Sequence, residues 1–579
     1  MVRILDIDLT RADFSISSRP DLRDEILGGA GLAAKLFTEK CSPSMSPLSP
    51  DNVMVFAIGP LNAYFPAMTK AVAVFKSPRT EEWGESHAGG RFGSAMRFSG
   101  FDAIIIRGKA EHPVYLAIHD SSVRIKNAET LWGMRSHLTP ARIIREREPG
   151  SGRRSIIRIG RAGENLVTYA SVNVDTYRHF GRLGLGAVFG SKNLKAIVVS
   201  GTHEFPIPDR TKFGELYQRI WNKIVFEGEM KKYHDYGTPV NVLAMNEMGA
   251  LPTRNFISGK FEHANKISGQ ELADKLLVRK VSCMSCPVGC IHIAEERELF
   301  AKEHEYVTNY VSYDYEPIYA LGSNLGISDS EKLLKLLGAI EEVGLDAIST
   351  GVILAYATEL MQKGLISEAD TEGIRLEWDN IAGYVQAVNA IAERKGDFFR
   401  LLGDRPELLF EQHKGKELLT AIAGNEIAGY HTGLANLLGH AIGLRHSHLD
   451  NAGYSLDQKF LKGPKTTPEQ MVAQLVEEEK FRQVFTSLVA CLFSRSVYEI
   501  GLIAECLSAI GINKSIEELN EIGSRIYRMK DSWRREAGFD PTTLELPLRF
   551  IETPTPTGKI EQQDFKRALQ EYARITQIQ

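Results

Sequence analysis

Cysteine is scarce in this chain, with six residues in 579. So few thiols over such a length exclude a disulfide framework. A surplus of positive charge is missing as well: 69 Lys and Arg stand against 73 Asp and Glu, a formal net charge of −4. Nothing in that balance draws the chain as a whole to nucleic acid or to an anionic membrane. No stretch approaches the roughly 18 consecutive apolar residues needed to cross a bilayer, and the opening MVRILDIDLT lacks the apolar region of a signal peptide. We therefore expect a cytoplasmic protein with a small-molecule substrate and with neither a nucleic-acid nor a membrane partner. The proportions that remain, 43% hydrophobic and 25% charged, are those of globular proteins, and the length exceeds what one core can serve.

The texture changes along the chain. Up to about residue 205, short apolar runs such as VMVFAI (53–58), AVAVF (71–75), AIIIRG (103–108) and VYLAI (114–118) alternate with Gly, Pro and Asn punctuation and read as strands. After PIPD (206–209) the spacing becomes helical, as in KFGELYQRIWNKI (212–224) and SEKLLKLLGAIEEVGLD (330–346). The expected fold class is α+β: a β-rich N-terminal cofactor-binding domain (1–205), then two largely α-helical domains (206–410 and 411–579).

Glycine gathers in four places: GGAGLAAKLF (28–37), AGGRFG (88–93), GRAGEN (160–165) and GRLGLGAVFGSKN (181–193). The first contains G-x-G-x-x-A, but the preceding DLRDEIL reads as a helix rather than the strand that a dinucleotide fingerprint requires. The other three are expected to let backbone approach a bulky polar ligand, with Arg178 and Arg182 suited to phosphate oxygens. The alternative is that these glycines only shape turns.

Three of the six cysteines lie in CMSCPVGC (283–290). Zinc sites usually pair two short Cys or His arms, whereas C-x2-C-x3-C with Pro287 and Gly289 suits a body larger than one ion. A cubane iron–sulfur cluster fits better. A Cys3His zinc site completed by His292 remains the alternative. The fourth thiolate must come from Cys41, Cys491 or Cys506.

At this point the residues resemble a known family, the tungsten-containing aldehyde ferredoxin oxidoreductases, over nearly the whole chain. The similar segments occur in order: GPL (59–61), KSP (76–78), GGRFG (89–93), FSGFDAIIIRGKAEHPVY (98–115), IGRAGENLV (159–167), GRLGLGAVFGSKNLKAI (181–197), CMSCPVGC, EPIYALGSNLGIS (316–328), EEVGLDAISTG (341–351) and AGFDPTTLELPLRF (537–550). The resemblance implies an enzyme that oxidises aldehydes to carboxylates at one tungsten (or molybdenum) held between two pyranopterins, with a [4Fe–4S] cluster nearby. Electrons would leave one at a time through the cluster to ferredoxin or a polyferredoxin-like subunit.

The family's positions carry over as follows. Cys283, Cys286, Cys290 and Cys491 would hold the cluster. Pterin-contacting loops fall on His87, Ala88, Gly89 and Gly90 and on Arg178, His179, Gly181 and Arg182. The backbone carbonyls of His87 and His179 would bind the Mg2+ that bridges the pterin phosphates. The first D-x-x-G-L-(D/C) motif becomes Glu341 through Gly344, Leu345 and Asp346, with Glu in place of Asp. The second is TSLVAC (486–491), which keeps only its cysteine. Lys70 stands where an arginine is usual. Lys335 and Val385 replace the ligands of an interface iron, so that iron is not expected, and a homodimer or hetero-oligomer is left open.

For the chemistry, Glu316 in YEPIY is the candidate general acid or base, with a pKa expected to be raised by burial, and Tyr315 stands beside it. His448 in GLRHSHLDN is the candidate histidine, and Arg445 would contact a pterin. The arginine-to-histidine spacing is one residue short of the family's, so His446 competes with His448. Two further readings stay open: a related reductase acting on a ring or a carboxylate, and an iron–sulfur electron-transfer subunit that has lost the metallopterin.

Overall fold

The computed structural model describes every residue except 1, 151, 302, 304, 410–414, 465, 578 and 579. The expected domain boundary at 410/411 lies outside the described residues.

Residues 3–200 form two six-stranded sheets. The first contains β1 (Arg3–Asp8), β2 (Asp13–Ser18), β3 (Met54–Ala57), β4 (Ala71–Lys76), β5 (Trp83–Ala88) and β6 (Ala103–Arg107), ordered β2-β1-β6-β3-β4-β5. The second contains β7 (Val114–His119), β8 (Ser122–Asn127), β9 (Ser155–Arg158), β10 (Val172–Val174), β11 (Arg178–Phe180) and β12 (Leu194–Ser200), ordered β11-β10-β9-β12-β7-β8. Each sheet is antiparallel apart from one parallel pair, β1 with β6 and β7 with β12.

The near-continuous apolar runs have a physical reason, since the first sheet is buried on both faces. Ala71, Ala73 and Phe75 of β4 point into the layer between the two sheets, against Leu116, Ile118 and Ile197. Val72 and Val74 point the other way, into a layer closed by the helix Gly29–Thr38 and by Val484 to Trp533 near the C-terminus. The N-terminal sheets are thus clamped by the end of the chain. At the far edge of the first sheet, β5 meets β11, the edge of the second. A cavity opens at that seam.

The remainder is mainly helical. Asp329 caps the helix Ser330–Val343, whose C-terminus is closed by left-handed Gly344 (φ 79°), and Asp346 at once caps Ala347–Gln362. Within the largely helical 206–410, β13 (Leu277–Val281), β14 (Ile291–Ala301) and β15 (Glu305–Tyr313) form an antiparallel three-stranded sheet. CMSCPVGC is the loop between β13 and β14, so the cysteines are held by a hairpin rather than by helices. Among the described residues no helix is long and apolar enough to cross a membrane.

Candidate functional site

DLRDEIL does form a helix, Asp21–Ile26, and GGAG opens the next helix without a preceding strand. Its glycines serve packing. A Cβ on Gly29 would lie 2.5 Å from the Ser487 carbonyl oxygen, and one on Gly59 would lie 2.4 Å from the Leu488 carbonyl carbon. The chain can therefore press against TSLVAC. Continuing this contact, Cys491 N–H donates to the Ala67 carbonyl at 2.9 Å and Lys70 N–H donates to the Val489 carbonyl at 3.0 Å. Lys70 and Cys491 are thereby locked side by side.

A cavity of about 340 Å³ lies where the two sheet edges, the cysteine loop and the helical part meet. Cys283, Cys286, Cys290 and Cys491 all line it, and so does Lys70. The Gly90 N–H donates to Cys283 Sγ at 3.2 Å. Gly89 must be glycine, because a Cβ there would lie 2.7 Å from Cys283 Sγ and 3.1 Å from Lys70 Nζ. Burial pushes the Cys286 thiol up to about 12 and also raises Cys290, so any metal or cluster bound by these thiols would have to displace their protons. At Lys70, burial favours the neutral amine, but the charges of Cys491 and Cys283 outweigh it and hold the ammonium raised. His292, the candidate zinc ligand, does not line the cavity; its Nε2 lies 3.0 Å from the His234 carbonyl.

On the sheet side, β5 presents Glu85 and His87 on one face. His87 Nε2 lies 2.8 Å from Glu85 Oε1, while Glu85 Oε2 accepts from Lys530 Nζ at 2.5 Å. Burial lowers the His87 pKa, and burial with Arg178 and Arg158 lowers His179 to about 3. Both imidazoles are neutral and offer one donor and one acceptor each. Ala88 turns inward to the core between the sheets. Arg178 Nη1 pairs with Asp314 at 3.0 Å. Arg182 reaches Asp346 at 3.1 Å and the Glu426 carbonyl at 2.8 Å.

Glu341, Leu345 and Asp346 line the cavity, whereas Gly344 packs its backbone on Gly160, where a Cβ would be 2.3 Å from the Val343 carbonyl oxygen. Asp346 is committed to Ile348 N–H, Ser349 and Arg182, so it orients Arg182 and caps a helix. Burial raises Glu341 to about 8, against the pull of Arg178, which favours the protonated carboxyl near neutrality. Of the four glycine-rich stretches, AGGRFG and the opening Gly181–Arg182–Leu183 of GRLGLGAVFGSKN face the cavity. GRAGEN and GLGAVFG pack on one another: a Cβ on Gly190 would lie 1.9 Å from the Gly163 carbonyl oxygen. For those two stretches the expected ligand contact is replaced by helix-on-helix contact.

Glu316 and His448 come together across the cavity. Glu316 sits in the first turn of Tyr315–Leu321, and His448 opens the short helix His448–Asn451, capped by Ser447. His448 Nε2 is 3.2 Å from Glu316 Oε1, off line for a good hydrogen bond but close enough for an ion pair, and Tyr430 Oη donates to the same oxygen at 2.9 Å. The raised pKa expected of Glu316 is corrected: burial does push it up, but His448 and Tyr430 outweigh burial and the shift is downward. Tyr315 is also corrected. Its hydroxyl donates to the Gly429 carbonyl at 2.5 Å, and it does not line the cavity; the tyrosine that reaches Glu316 is Tyr430. Of the competing histidines, His446 turns away to Glu82 at 3.0 Å while His448 faces the cavity. Arg445 lines the cavity, braced by Asp450.

Sequence reasoning missed Glu85, Asp314 and Tyr430. Glu85 was findable, two residues from His87 and so on the same strand face; Tyr430 in AGYHTG gives no local signal. The fit to a cofactor rests on unspent donors. Arg178 Nε and Nη2, Arg182 Nη1 and His179 Nε2 are buried with no partner, at a cost that only a ligand or water relieves. Guanidinium groups with free N–H and four thiols lining one cavity suit a phosphate-bearing anionic cofactor beside a thiolate-held cluster.

Comparison with known proteins agrees with this geometry. The family described as "Aldehyde ferredoxin oxidoreductase, N-terminal domain" matches residues 4–201, and "Aldehyde ferredoxin oxidoreductase, domains 2 & 3" matches residues 215–577. The tungsten-containing aldehyde ferredoxin oxidoreductases of Pyrococcus furiosus and Thermococcus kodakarensis are each 34% identical, over 96% of this chain and 92% of theirs. The WOR-like subunit of an aliphatic sulfonate oxidoreductase from Pyrococcus furiosus is 28% identical, over 98% of this chain and 93% of its own. In fold, the chain is similar to the active-site complex BamBC of benzoyl coenzyme A reductase, with a TM-score of 0.84 at 21% identity, covering 99% of this chain and 94% of that one. With both family regions matched nearly end to end and four cysteines opening on one cavity beside Glu316 and His448, this chain belongs to the aldehyde ferredoxin oxidoreductase family.

Proposed function

We propose that this protein oxidises aldehydes to carboxylates at a tungsten bis-pyranopterin, with electrons leaving through a [4Fe–4S] cluster held by Cys283, Cys286, Cys290 and Cys491 to ferredoxin or a polyferredoxin-like subunit. When bound, the cofactors supply the two-electron oxidation and its division into single electrons. The residues supply orientation and proton handling. Arg178 and Arg182 would hold phosphate with their free N–H groups. The carbonyls of His87 and His179, on the adjoining strands β5 and β11, would hold Mg2+. Lys70, between Gly89 and Cys491, would donate toward the cluster side.

The observation that supports this reading most strongly is the Glu316–His448 pair. An ionised Glu316, with Tyr430 on one side, is an acceptor placed to take the proton of an attacking water or an aldehyde hydrate. His448, when protonated, would polarise the carbonyl oxygen. Aldehyde-dependent reduction of a viologen dye by metal-replete protein tests the proposal.

A second reading is favoured by TSLVAC and Lys70, which depart from the family pattern on the cluster side. One relative is named for an aliphatic sulfonate, and a protein of similar fold is named for benzoyl coenzyme A. Activity with such a substrate and none with aldehydes would select it. An iron–sulfur subunit without metallopterin would show about four irons and neither tungsten nor molybdenum.

A further inference from the structure

Arg158 carries a buried charge that its neighbours leave unpaired. Ile157 and Ile159 on either side of it point into the layer between the two sheets, so Arg158, at the end of β9, points to the opposite face. It is fully buried there. Its Nε donates to the His137 carbonyl at 2.7 Å and its Nη1 donates to the Asp175 carbonyl, while Nη2 has no partner. Among the described residues no carboxylate forms an ion pair with it, whereas the equally buried Arg79, Arg534 and Lys530 pair with Glu426, Asp531 and Glu85. Asp175 turns its carboxyl to Ser155 and to the Ile156 N–H. Burial favours the protonated forms of Asp175 and Glu341, the two acids whose charges reach Arg158. Burial also lowers Arg158 to about 10, which leaves it charged at neutral pH.

The strand register places this charge behind the cavity wall. Arg158 is paired with Asn173 of β10, and Asn173 with His179 of β11. The three side chains therefore share one face in a row, across two strand spacings or roughly 10 Å. His179 lines the cavity and Arg158 does not. Asn173 is fully buried with neither Nδ2 nor Oδ1 partnered, and His179 Nε2 is unpartnered too. A buried guanidinium without a counter-ion is costly unless a negative charge nearby offsets it. Its charge already reaches the wall, where burial, Arg178 and Arg158 keep His179 neutral. Two phosphate monoesters remain anionic even with one Mg2+ between them, and Arg178 and Arg182 are partly spent on Asp314 and Asp346. We propose that Arg158 is a buried positioning residue that helps retain the phosphate end of the cofactor from behind the sheet, acting by charge across Asn173 and His179 without touching it. This rests on the reading that a phosphate-bearing metallopterin occupies the cavity.

The test follows the holoenzyme by its elements. Wild type, Arg158→Gln and Arg158→Lys are dialysed side by side, and phosphorus, tungsten or molybdenum, and iron per chain are measured over time. The Gln variant keeps a donor for the His137 carbonyl but loses the charge, whereas the Lys variant keeps the charge and loses the fork. Attraction between unit charges about 10 Å apart, at an effective dielectric constant of about 20, corresponds to a factor of roughly ten. The Gln variant should therefore lose phosphorus and tungsten about tenfold faster than wild type while its iron is retained, and the Lys variant should stay within about threefold of wild type. Iron lost together with phosphorus in the Gln variant would make Arg158 a brace of the fold alone and overturn the proposal. Cofactor retention equal to wild type in the Gln variant overturns it as well, and so does a Lys variant that fails as the Gln variant does. Wild-type protein with iron but with neither phosphorus nor tungsten nor molybdenum would instead defeat the underlying reading, before any variant is compared.

Discussion

In the proposed reaction the proton chemistry rests on one carboxylate, Glu316. Its downward shift makes it a base already ionised at neutral pH, so a rate that depends on it should persist at neutrality and fall only as pH drops through its lowered pKa. Glu316→Gln keeps the Tyr430 contact but removes the base; we expect a loss of about 10²–10⁴ in turnover at unchanged metal content, measured by dye reduction. A loss under threefold would remove Glu316 from that role. A second carboxyl titrates for structural reasons. Glu479 accepts from Leu444 N–H at 2.8 Å and from Asn451, and burial together with nearby Asp450 raises its pKa. A carboxyl that titrates higher folded than unfolded gives stability that is full below the unfolded pKa and is lost as pH rises through the folded one. Glu479→Gln should therefore flatten the decline in melting temperature between pH 6 and pH 9, and an unchanged slope in a pH series of thermal melts would contradict the assignment.

At the level of elements, strands and helices with clear periodicity were legible in the sequence. AVAVF is strand because alternate residues serve two apolar layers, and KLLKLLGAIEEVG is a helix stopped by Gly344. The hairpin β14–β15 was not legible, since EERELFAKEHEY mixes charge and apolar residues without a two-residue period and much of it faces solvent. Glycine-rich loops misled for a related reason: what a glycine accommodates is set by a partner far along the chain, such as Gly163 beneath Gly190. Gly190→Ala should force the helices Arg161–Glu164 and Leu185–Ser191 apart and cost about 1–3 kcal/mol or more, read as a lowered melting temperature. A melt within one degree of wild type would show that the contact yields freely.

For the whole molecule, the cysteines and Glu316 were legible because their residue types and ordered surroundings match a family pattern. Tyr430, Asp314 and the burial that sets each pKa were not, because they arise only when the two sheet edges, the cysteine hairpin and the C-terminal helices close on one cavity. That closure makes the cavity a joint property of distant segments: Cys283 from the hairpin, Cys491 from beyond the helix Pro468–Ser487, and Lys70 from the loop before β4. Purified from a host able to make the cofactor, the protein should hold about four irons and one tungsten or molybdenum per chain.

Aldehyde oxidation in this cavity is the proposal on which the roles of Glu316 and His448 depend. The most direct measurement is reduction of benzyl viologen by metal-replete protein across a broad panel of aldehydes, with Glu316→Gln alongside. We expect aldehyde-dependent dye reduction in the wild type, with the matching carboxylate as product, and a loss of about two orders of magnitude or more in the variant. Fully metallated protein that reduces no dye with any aldehyde would contradict it.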